Sequence, residues 1–522
     1  MKTIHTDKES LIAAYMAGED VAEELLQLCR SVPSIAEELA GHLEVERLLH
    51  LNVLCEQEDL FVKELEARLQ CEGDDGFVKN IEKSLKASSE VSFRRLWKFS
   101  AVAALMLSLA GWFLMSTPYS VWAVVSRQRS AVWHGRSFVA CQKIRNRSLT
   151  LDEGYAELNL VNGVRLILEA PVSIEFEKHD RLILKNGSLV ARVPEQATGF
   201  TVLTPSSEVV DLGTEFGVSV DDAGASELCV LDGEVKARGS REQDFVHMTK
   251  NEACAFDVQR QIRMIKSDPS RFVRALPGHS PDNPDYLHWA FDGGSDVVVC
   301  GGRGIQGRCY DGRLKAFDGG EGPLRQPGVF GKSIYFNGTD AYIETRFPGI
   351  GGHAPRTVAF WARVPEGDIE DTGYGMISWG LMKPGAAWQI SPNPFEPEGP
   401  LGRIRIGTMD GFVIGTKDLR DNHWHHIAIV MYGGDAADTS THILIYVDGA
   451  LEKTSRKSII SIATRLDSRE SQDLRFGRNL GFRGGNDRRK DRFFHGWLDE
   501  VYIFDAALEQ QQIERLMRQN EF

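Results

Sequence analysis

The chain has 522 residues, of which 42% are hydrophobic, and this length predicts roughly two to four domains rather than one core. Its formal net charge of −14 argues against a nucleic-acid-binding surface spread over the chain, so we expect no direct nucleic-acid binding. The 8 cysteines include no Cys-x-x-Cys pair and are widely spaced. They therefore exclude the usual zinc and thioredoxin signatures and a dense disulfide scaffold.

Residues 1–95 are predicted to form a small helical head. They are rich in Asp and Glu, and their apolar residues recur at helical spacing. Ser34 and Glu37 form a capping-box pattern directly after Pro33, so we expect a helix to begin there. We interpret this acidic bundle as a partner-binding module, with a plain solvated helical domain as the alternative.

Within this head, the run from Val32 to Leu39 resembles a segment of the N-terminal domains of anti-sigma factors. The zinc-binding version of that domain needs a His-x-x-x-Cys-x-x-Cys run. His50 and Cys55 do not have this spacing, and we therefore expect no metal in the head.

Residues 96–118 are predicted to be one transmembrane helix. The stretch Phe99–Met115 carries no charge and approaches the length of about 20 residues that a helix needs to cross a bilayer. A buried core helix is the alternative, but such a helix normally shows a polar stripe. Arg94, Arg95 and Lys98 lie on the N-terminal side, which places the head in the cytoplasm and the rest outside. We expect a single-pass protein of the bacterial inner membrane, with its C-terminal modules in the periplasm.

Residues 120–258 are predicted to form an all-β module. Apolar and polar residues alternate along several runs, and the dipeptides Asn162-Gly163, Asn186-Gly187 and Asp232-Gly233 interrupt them. Asn-Gly or Asp-Gly between alternating runs is the strongest short hairpin signal. We therefore predict a β-hairpin at each of the three dipeptides.

This module also contains an ordered set of motifs. They are Leu166–Pro171, Gly187–Pro194, Gly199–Pro205, Val209–Val218 and Leu231–Val235. Their order and spacing resemble the extracytoplasmic domain of FecR-like transmembrane anti-sigma-factor regulators. The resemblance implies an extracytoplasmic-function sigma factor as the cytoplasmic partner. Asp211 and Glu215 could suggest a catalytic carboxylate pair, but we interpret them as residues of a strand and its turn.

Residues 259–282 are predicted to be a linker, 283–510 a second all-β module and 511–522 a C-terminal tail. The motifs of the second module are His288–Asp292, Gly328–Glu344, Arg356–Val364, His423–Val430, Ile443–Gly449 and Gly496–Asp505. Together they resemble the laminin-G-like, concanavalin A-type jelly roll, which implies an antiparallel sandwich of two sheets. The expected fold class is thus multidomain, with an all-α head, one transmembrane helix and two all-β domains.

The resemblance to laminin-G-like modules also implies a possible calcium site where the first and last strands meet. Asp292 and Asp499 would supply carboxylate oxygens, which suit calcium. The alternative is that both residues end strands and accept hydrogen bonds from turn amides. Cys300 and Cys309 flank a Gly-rich loop outside the cytoplasm and are predicted to form a disulfide, with two free buried cysteines as the alternative.

We expect no catalytic residues and no enzyme activity, because the Glu-x-Asp-x-x-Glu strand of jelly-roll glycosidases is absent from the sequence. The leading hypothesis is a membrane sensor that controls an extracytoplasmic-function sigma factor. Its outer modules would bind a polysaccharide or an envelope protein. The alternative is a surface glycan-binding or adhesion protein without a sigma-factor role.

Overall fold

The computed structural model describes residues 121–305, 310–367, 375–434, 436–480 and 493–522. The predicted head 1–95 and the predicted membrane helix 96–118 lie outside the described residues. Within the described part, no helix is long and apolar enough to cross a membrane. The description below concerns the compact unit Tyr119–Phe522.

The first module is a 13-stranded sheet that folds over a core of its own. Its strands are β1 (Ala123–Trp133), β2 (Lys143–Ile144), β3 (Ser148–Leu160), β4 (Arg165–Lys178), β5 (Arg181–Arg192), β6 (Thr201–Leu203), β7 (Glu208–Asp211), β8 (Glu215–Val220), β9 (Ser226–Asp232), β10 (Glu234–Arg238), β11 (Val246–Thr249), β12 (Ala253–Phe256) and β13 (Ile262–Ile265). The main path runs β11-β10-β7-β6-β5-β4-β3-β1-β2, and β8, β9, β12 and β13 continue the sheet from β5. Alternation of side chains sends Leu166, Leu168, Ile174 and Phe176 of β4 into the core.

One of the three predicted hairpins is confirmed. Asn162-Gly163 joins the antiparallel strands β3 and β4. The prediction was wrong at Asp232-Gly233, because β9 and β10 that flank it pair with other strands. It was also wrong at Asn186-Gly187, which lies inside β5, where the register with β4 shifts. A Cβ on Gly187 would lie 2.1 Å from the carbonyl oxygen of Pro171, so glycine is needed there for close strand approach rather than for a turn.

The second module is an antiparallel sandwich of two 9-stranded sheets. Its strands are β14 (Tyr286–Trp289), β15 (Val297–Val298), β16 (Gly301–Arg303), β17 (Gly312–Ala316), β18 (Leu324–Pro327), β19 (Lys332–Asn337), β20 (Ala341–Glu344), β21 (Arg356–Arg363), β22 (Ile377–Gly380), β23 (Ala387–Pro392), β24 (Arg403–Gly407), β25 (Phe412–Asp418), β26 (Trp424–Met431), β27 (Ile443–Val447), β28 (Ala450–Leu451), β29 (Arg456–Lys457), β30 (Gln472–Phe476) and β31 (His495–Phe504). The inner sheet follows the order β16-β14-β31-β21-β26-β27-β28, with β19 on β31 and β18 on β19. The outer sheet follows β15-β17-β20-β30-β22-β23-β24-β25-β29. The predicted all-β sandwich is confirmed.

The inner sheet is buried on both faces. On β26, Ile427 and Ile429 point into the sandwich core, whereas Ala428 and Val430 belong to a second core shared with the first module. Strands covered on both faces need apolar residues at consecutive positions, which explains the unbroken apolar run of β26. The shared core combines Tyr155, Ile167, Val190, Cys229, Leu231 and Ala253 of the first module with Ala359, Ala428, Val430, Leu444, Tyr446, Tyr502 and Phe504 of the second.

The segment 259–282, expected to be a linker, is an ordered part of this interface. It contains β13, and its residues Phe272, Val273 and Leu276 are buried in the shared core. Arg127 of the first module donates to the carbonyl of Leu276 (3.1 Å), so the segment is also held by hydrogen bonds. The Pro and Gly residues of this segment are typical of a flexible linker. Its apolar residues are nevertheless buried, because they pack against apolar surfaces of both modules.

The region 511–522, expected to be a tail, is mostly helix α1 (Gln510–Gln519). Glu509 and Gln512 form a capping box at its N-terminus, which satisfies amides that the first turn would otherwise leave unpaired. Ile513 and Leu516, three residues apart, lie on one helix face and are buried in the shared core. The helix therefore adds to the interface between the two modules.

Candidate functional site

Asp292 and Asp499, the predicted calcium ligands, hold the same turn between β18 and β19. Asp499 on β31 is fully buried, and its Oδ2 accepts from the amides of Val329 (2.7 Å) and Phe330 (3.2 Å). Asp292 follows β14, and its Oδ1 accepts from the amide of Lys332 at 2.8 Å. The structure thus brings the two carboxylates to one turn and shows the hydrogen bonds to turn amides that were the alternative to calcium.

Asp499 remains an unusual group. Burial raises its pKa to about 7, and the neighbouring charge of Glu500 adds to this increase. Its Oδ1 is buried without a hydrogen-bond partner. No group of three or more His, Cys, Asp or Glu side chains suited to a metal occurs in the described part of the chain. The calcium site therefore stays a prediction.

The predicted disulfide between Cys300 and Cys309 also stays a prediction, because Cys309 lies outside the described residues. Cys300 is partly buried between β15 and β16, and its amide donates to Oδ1 of Asp311 at 2.9 Å.

The carboxylates Asp211 and Glu215 have structural partners within the protein. Asp211 is fully buried and accepts a short hydrogen bond from the hydroxyl of Thr214. Glu215 pairs with Arg192 of β5 (3.1 Å) and Arg274 of the segment 259–282 (2.5 Å). This second ion pair ties the core of the first module to the segment that leads to the second.

A histidine between two carboxylates lies near the start of β26 in the inner sheet. Nδ1 of His425 is 2.9 Å from Oδ2 of Asp448, and its Nε2 is 3.0 Å from Oδ2 of Asp421. The hydrogen bond to Asp448 raises the pKa of His425 despite its burial. Burial alone would raise the pKa of Asp448, but hydrogen bonds from His425 and Lys417 lower it to about 2. These charges satisfy one another and form a structural network.

Two clefts lie between the modules, and sequence reasoning missed both. The first, about 950 Å³, is lined by parts of β1, β3 and β4, by the loop after β28 and by α1. The second, about 740 Å³, is lined by parts of β5 and β8, by the segment after β13 and by the region around β29. Glu169 and Thr454 line both clefts, so the two meet there. Their walls come from residues far apart in sequence, and no local motif marks them.

Two family models match this chain. The FecR protein model matches residues 146–236, from just before β3 into β10, and a concanavalin A-like lectin/glucanases superfamily model matches residues 337–514. The chain is a FecR-like protein with a C-terminal jelly-roll domain. The first module is therefore called the FecR-like module below, and the second the jelly-roll module.

Solved structures similar to this FecR-like protein share little sequence with it. Domain 4 of the GH43 extracellular arabinanase AbnA of Geobacillus stearothermophilus, solved with arabinotriose, is 17% identical, with 45% of this chain and 99% of that chain covered and a TM-score of 0.33. A candidate anti-sigma factor from Parabacteroides distasonis is 18% identical, with 23% and 60% covered and a TM-score of 0.21. The binding domain of botulinum neurotoxin serotype C1 is 13% identical, with 46% and 52% covered and a TM-score of 0.31. Such low TM-scores support no assignment of function, and no curated protein matches the chain.

Proposed function

We propose that this chain is a single-pass membrane regulator of an extracytoplasmic-function sigma factor. The head, residues 1–95, holds the sigma factor in the cytoplasm, and the two outer modules respond to a polysaccharide or a protein of the envelope. The observation that carries the proposal is the FecR match over residues 146–236, which covers most strands of a well-defined β module. The jelly-roll match supports a ligand-binding role for the outer part.

The packing of the two outer modules suggests how a signal would begin. A shared hydrophobic core and an ordered connecting segment join the two modules. A ligand that binds one module would therefore also act on the other module. Coupling to the head requires two states with different affinity for the sigma factor. Residues 96–118 would carry the change across the membrane.

Copurification of the full-length protein with the sigma factor encoded beside it tests the proposal. We expect binding that weakens as salt increases, because the head is acidic. The double substitution Glu37→Lys and Glu38→Lys should reduce the recovered sigma factor. The matched double substitution Glu195→Lys and Asp222→Lys, at exposed positions of the FecR-like module, should leave the recovery unchanged.

Failure of the unchanged protein to retain that sigma factor would contradict the proposal. If the protein then retains a polysaccharide, the alternative of a surface glycan-binding or adhesion protein gains support. Release of reducing sugar from the polysaccharide would instead contradict the expectation that the jelly-roll module binds without hydrolysis.

The proposed topology has its own test. Reporter phosphatase fused after residue 90 should be inactive, and the same reporter fused after residue 130 should be active, because the cations of residues 94–98 favour the cytoplasmic side. The reverse pattern would contradict the proposed orientation.

A further inference from the structure

The two clefts between the FecR-like and jelly-roll modules meet at Glu169 and Thr454 and together form one groove. Two partly buried side chains of opposite charge line this groove without forming an ion pair. Glu169 lies on β4 of the FecR-like module, and Lys457 lies on β29 of the jelly-roll module. Both line the second cleft, and Glu169 also lines the first. The groove is therefore lined by the carboxylate of Glu169 on the side of the FecR-like module and by the ammonium group of Lys457 on the side of the jelly-roll module.

Glu169 has little to compensate its charge. Its hydrogen bond comes from the hydroxyl of Tyr155 at 3.5 Å, the long end of the range. Burial raises the pKa of Glu169, although the charge of Lys457, this hydrogen bond and the charges of Lys453 and Arg271 oppose the increase. The carboxylate is only partly exposed, and the clefts that it lines give solvent access to it.

Lys457 is the counterpart on the other wall. Burial lowers its pKa, and the charges of Glu169, Asp438 and Asp268 oppose the decrease without a hydrogen bond. Its neighbour Arg456, which also lines the second cleft, donates to the carbonyl of Pro397 at 2.8 Å. The ammonium group of Lys457 is thus attracted to Glu169 by charge, without a hydrogen bond between the two groups.

Enclosing unpaired charges costs free energy unless a partner neutralises them. A protein normally avoids this cost by closing the gap into an ion pair, or by apolar side chains at both positions. Here both groups line the second cleft of about 740 Å³, a size that suits a small organic ligand. A ligand with one positive and one negative end would neutralise both walls at once.

We propose that this groove binds a short peptide through its free termini, with the ammonium group at Glu169 and the carboxylate at Lys457. A bound peptide would contact both modules, because each module supplies one of the two charged walls. The inference does not depend on the sigma-factor role.

Calorimetric titration of the purified full-length protein tests the inference. The probe is tri-alanine with free termini, compared with N-acetylated tri-alanine and with tri-alanine amide. We expect the free peptide to bind and each capped form to bind roughly tenfold more weakly, since each cap removes one charge-assisted contact. Absence of heat from free tri-alanine at millimolar concentration, or equal affinity of free and capped peptides, would overturn the inference.

Substitutions then assign each terminus to its wall. Glu169→Gln should weaken binding of the free peptide roughly tenfold and remove its preference over the N-acetylated peptide. Lys457→Gln should also weaken binding of the free peptide roughly tenfold, and it should remove the preference over the peptide amide. Exposed residues away from both clefts offer matched controls, and Glu195→Gln and Lys383→Gln should leave the affinity unchanged. Equal losses in these control variants and in the variants of Glu169 and Lys457 would overturn the assignment. If the variant of Glu169 or of Lys457 does not fold, the comparison of free and capped peptides on the unchanged protein still tests the inference.

Discussion

His425 shows how single residues make part of the stability of the jelly-roll module pH-dependent. Hydrogen bonding to Asp448 raises its pKa, so its stabilising effect is complete below the unfolded value of about 6.5 and is lost as pH rises through the folded pKa. Asp448 behaves in the opposite sense. Its pKa is lowered to about 2, and its stabilising effect is present above about pH 4 and lost below it. The network is therefore strongest between about pH 4 and 6.5.

We expect His425→Gln to lower the free energy of unfolding by about 2 kcal/mol near pH 6, since it removes a charge-assisted hydrogen bond, and by less near pH 9. His423→Gln is the matched control, because the side chain of His423 is 80% exposed and should contribute little at either pH. Denaturant melts at both pH values measure this. A penalty for His425→Gln that does not change with pH would contradict the description of this network.

Calcium binding is a second prediction for single residues. If calcium binds at Asp292 and Asp499 of the folded module, the melting temperature of the full-length protein should rise with calcium concentration by mass action. The full chain is preferable to residues 283–522, because the isolated module would expose the apolar outer face of its inner sheet. Asp499→Asn should abolish the effect. Equal melting temperatures with calcium and with chelator would remove the site.

At the level of secondary-structure elements, the sequence identified strands better than it identified their partners. Alternating apolar residues identified the first module as a β structure, because alternation reports burial of one face. The second module was identified from the ordered motifs that resemble a jelly roll. The dipeptides Asn186-Gly187 and Asp232-Gly233 have the same composition as a hairpin turn. Gly187 instead allows close packing of β5 against β4, and Asp232-Gly233 connects two strands that pair with different partners. Glycine permits a turn, a bulge or a close approach, and only the three-dimensional neighbours distinguish these uses.

Gly187 provides the test at this level. Its φ is +88°, and an added Cβ would lie 2.1 Å from the carbonyl oxygen of Pro171, so we expect Gly187→Ala to destabilise the protein by roughly 2–4 kcal/mol. Gly294→Ala is the control, since nothing lies within 4 Å of its added Cβ. Denaturant melts of both variants provide the comparison, and equal stability would contradict the packing described for β4 and β5.

At the level of the whole molecule, the sequence predicted two β modules but not their docking. The apolar runs of β26 and β27 indicate strands buried on both faces, but they do not identify what covers the second face. The answer lies in residues such as Tyr155 and Phe272, which are far away in sequence. The groove with Glu169 was missed for the same reason.

If the shared core joins the modules, Val430→Arg should lower the melting temperature or divide one unfolding transition into two. Val430 is fully buried at the interface, and an unpaired charge there is costly. Val299→Arg, at a site that is 68% exposed, is the control and should have little effect. Calorimetric melts of the full-length protein measure this. Unfolding of the Val430→Arg variant at the same temperature and in the same way as the unchanged protein would contradict the described interface.

The proposed regulation of a sigma factor by this FecR-like protein can be measured in cells. The measurement is transcription from a promoter that depends on the sigma factor encoded beside it, in cells with and without this protein. We predict a change of roughly fivefold or more on removal of the protein, and its reversal when the full-length chain is restored. Equal transcription in both strains, with the sigma factor present and active, would contradict the account.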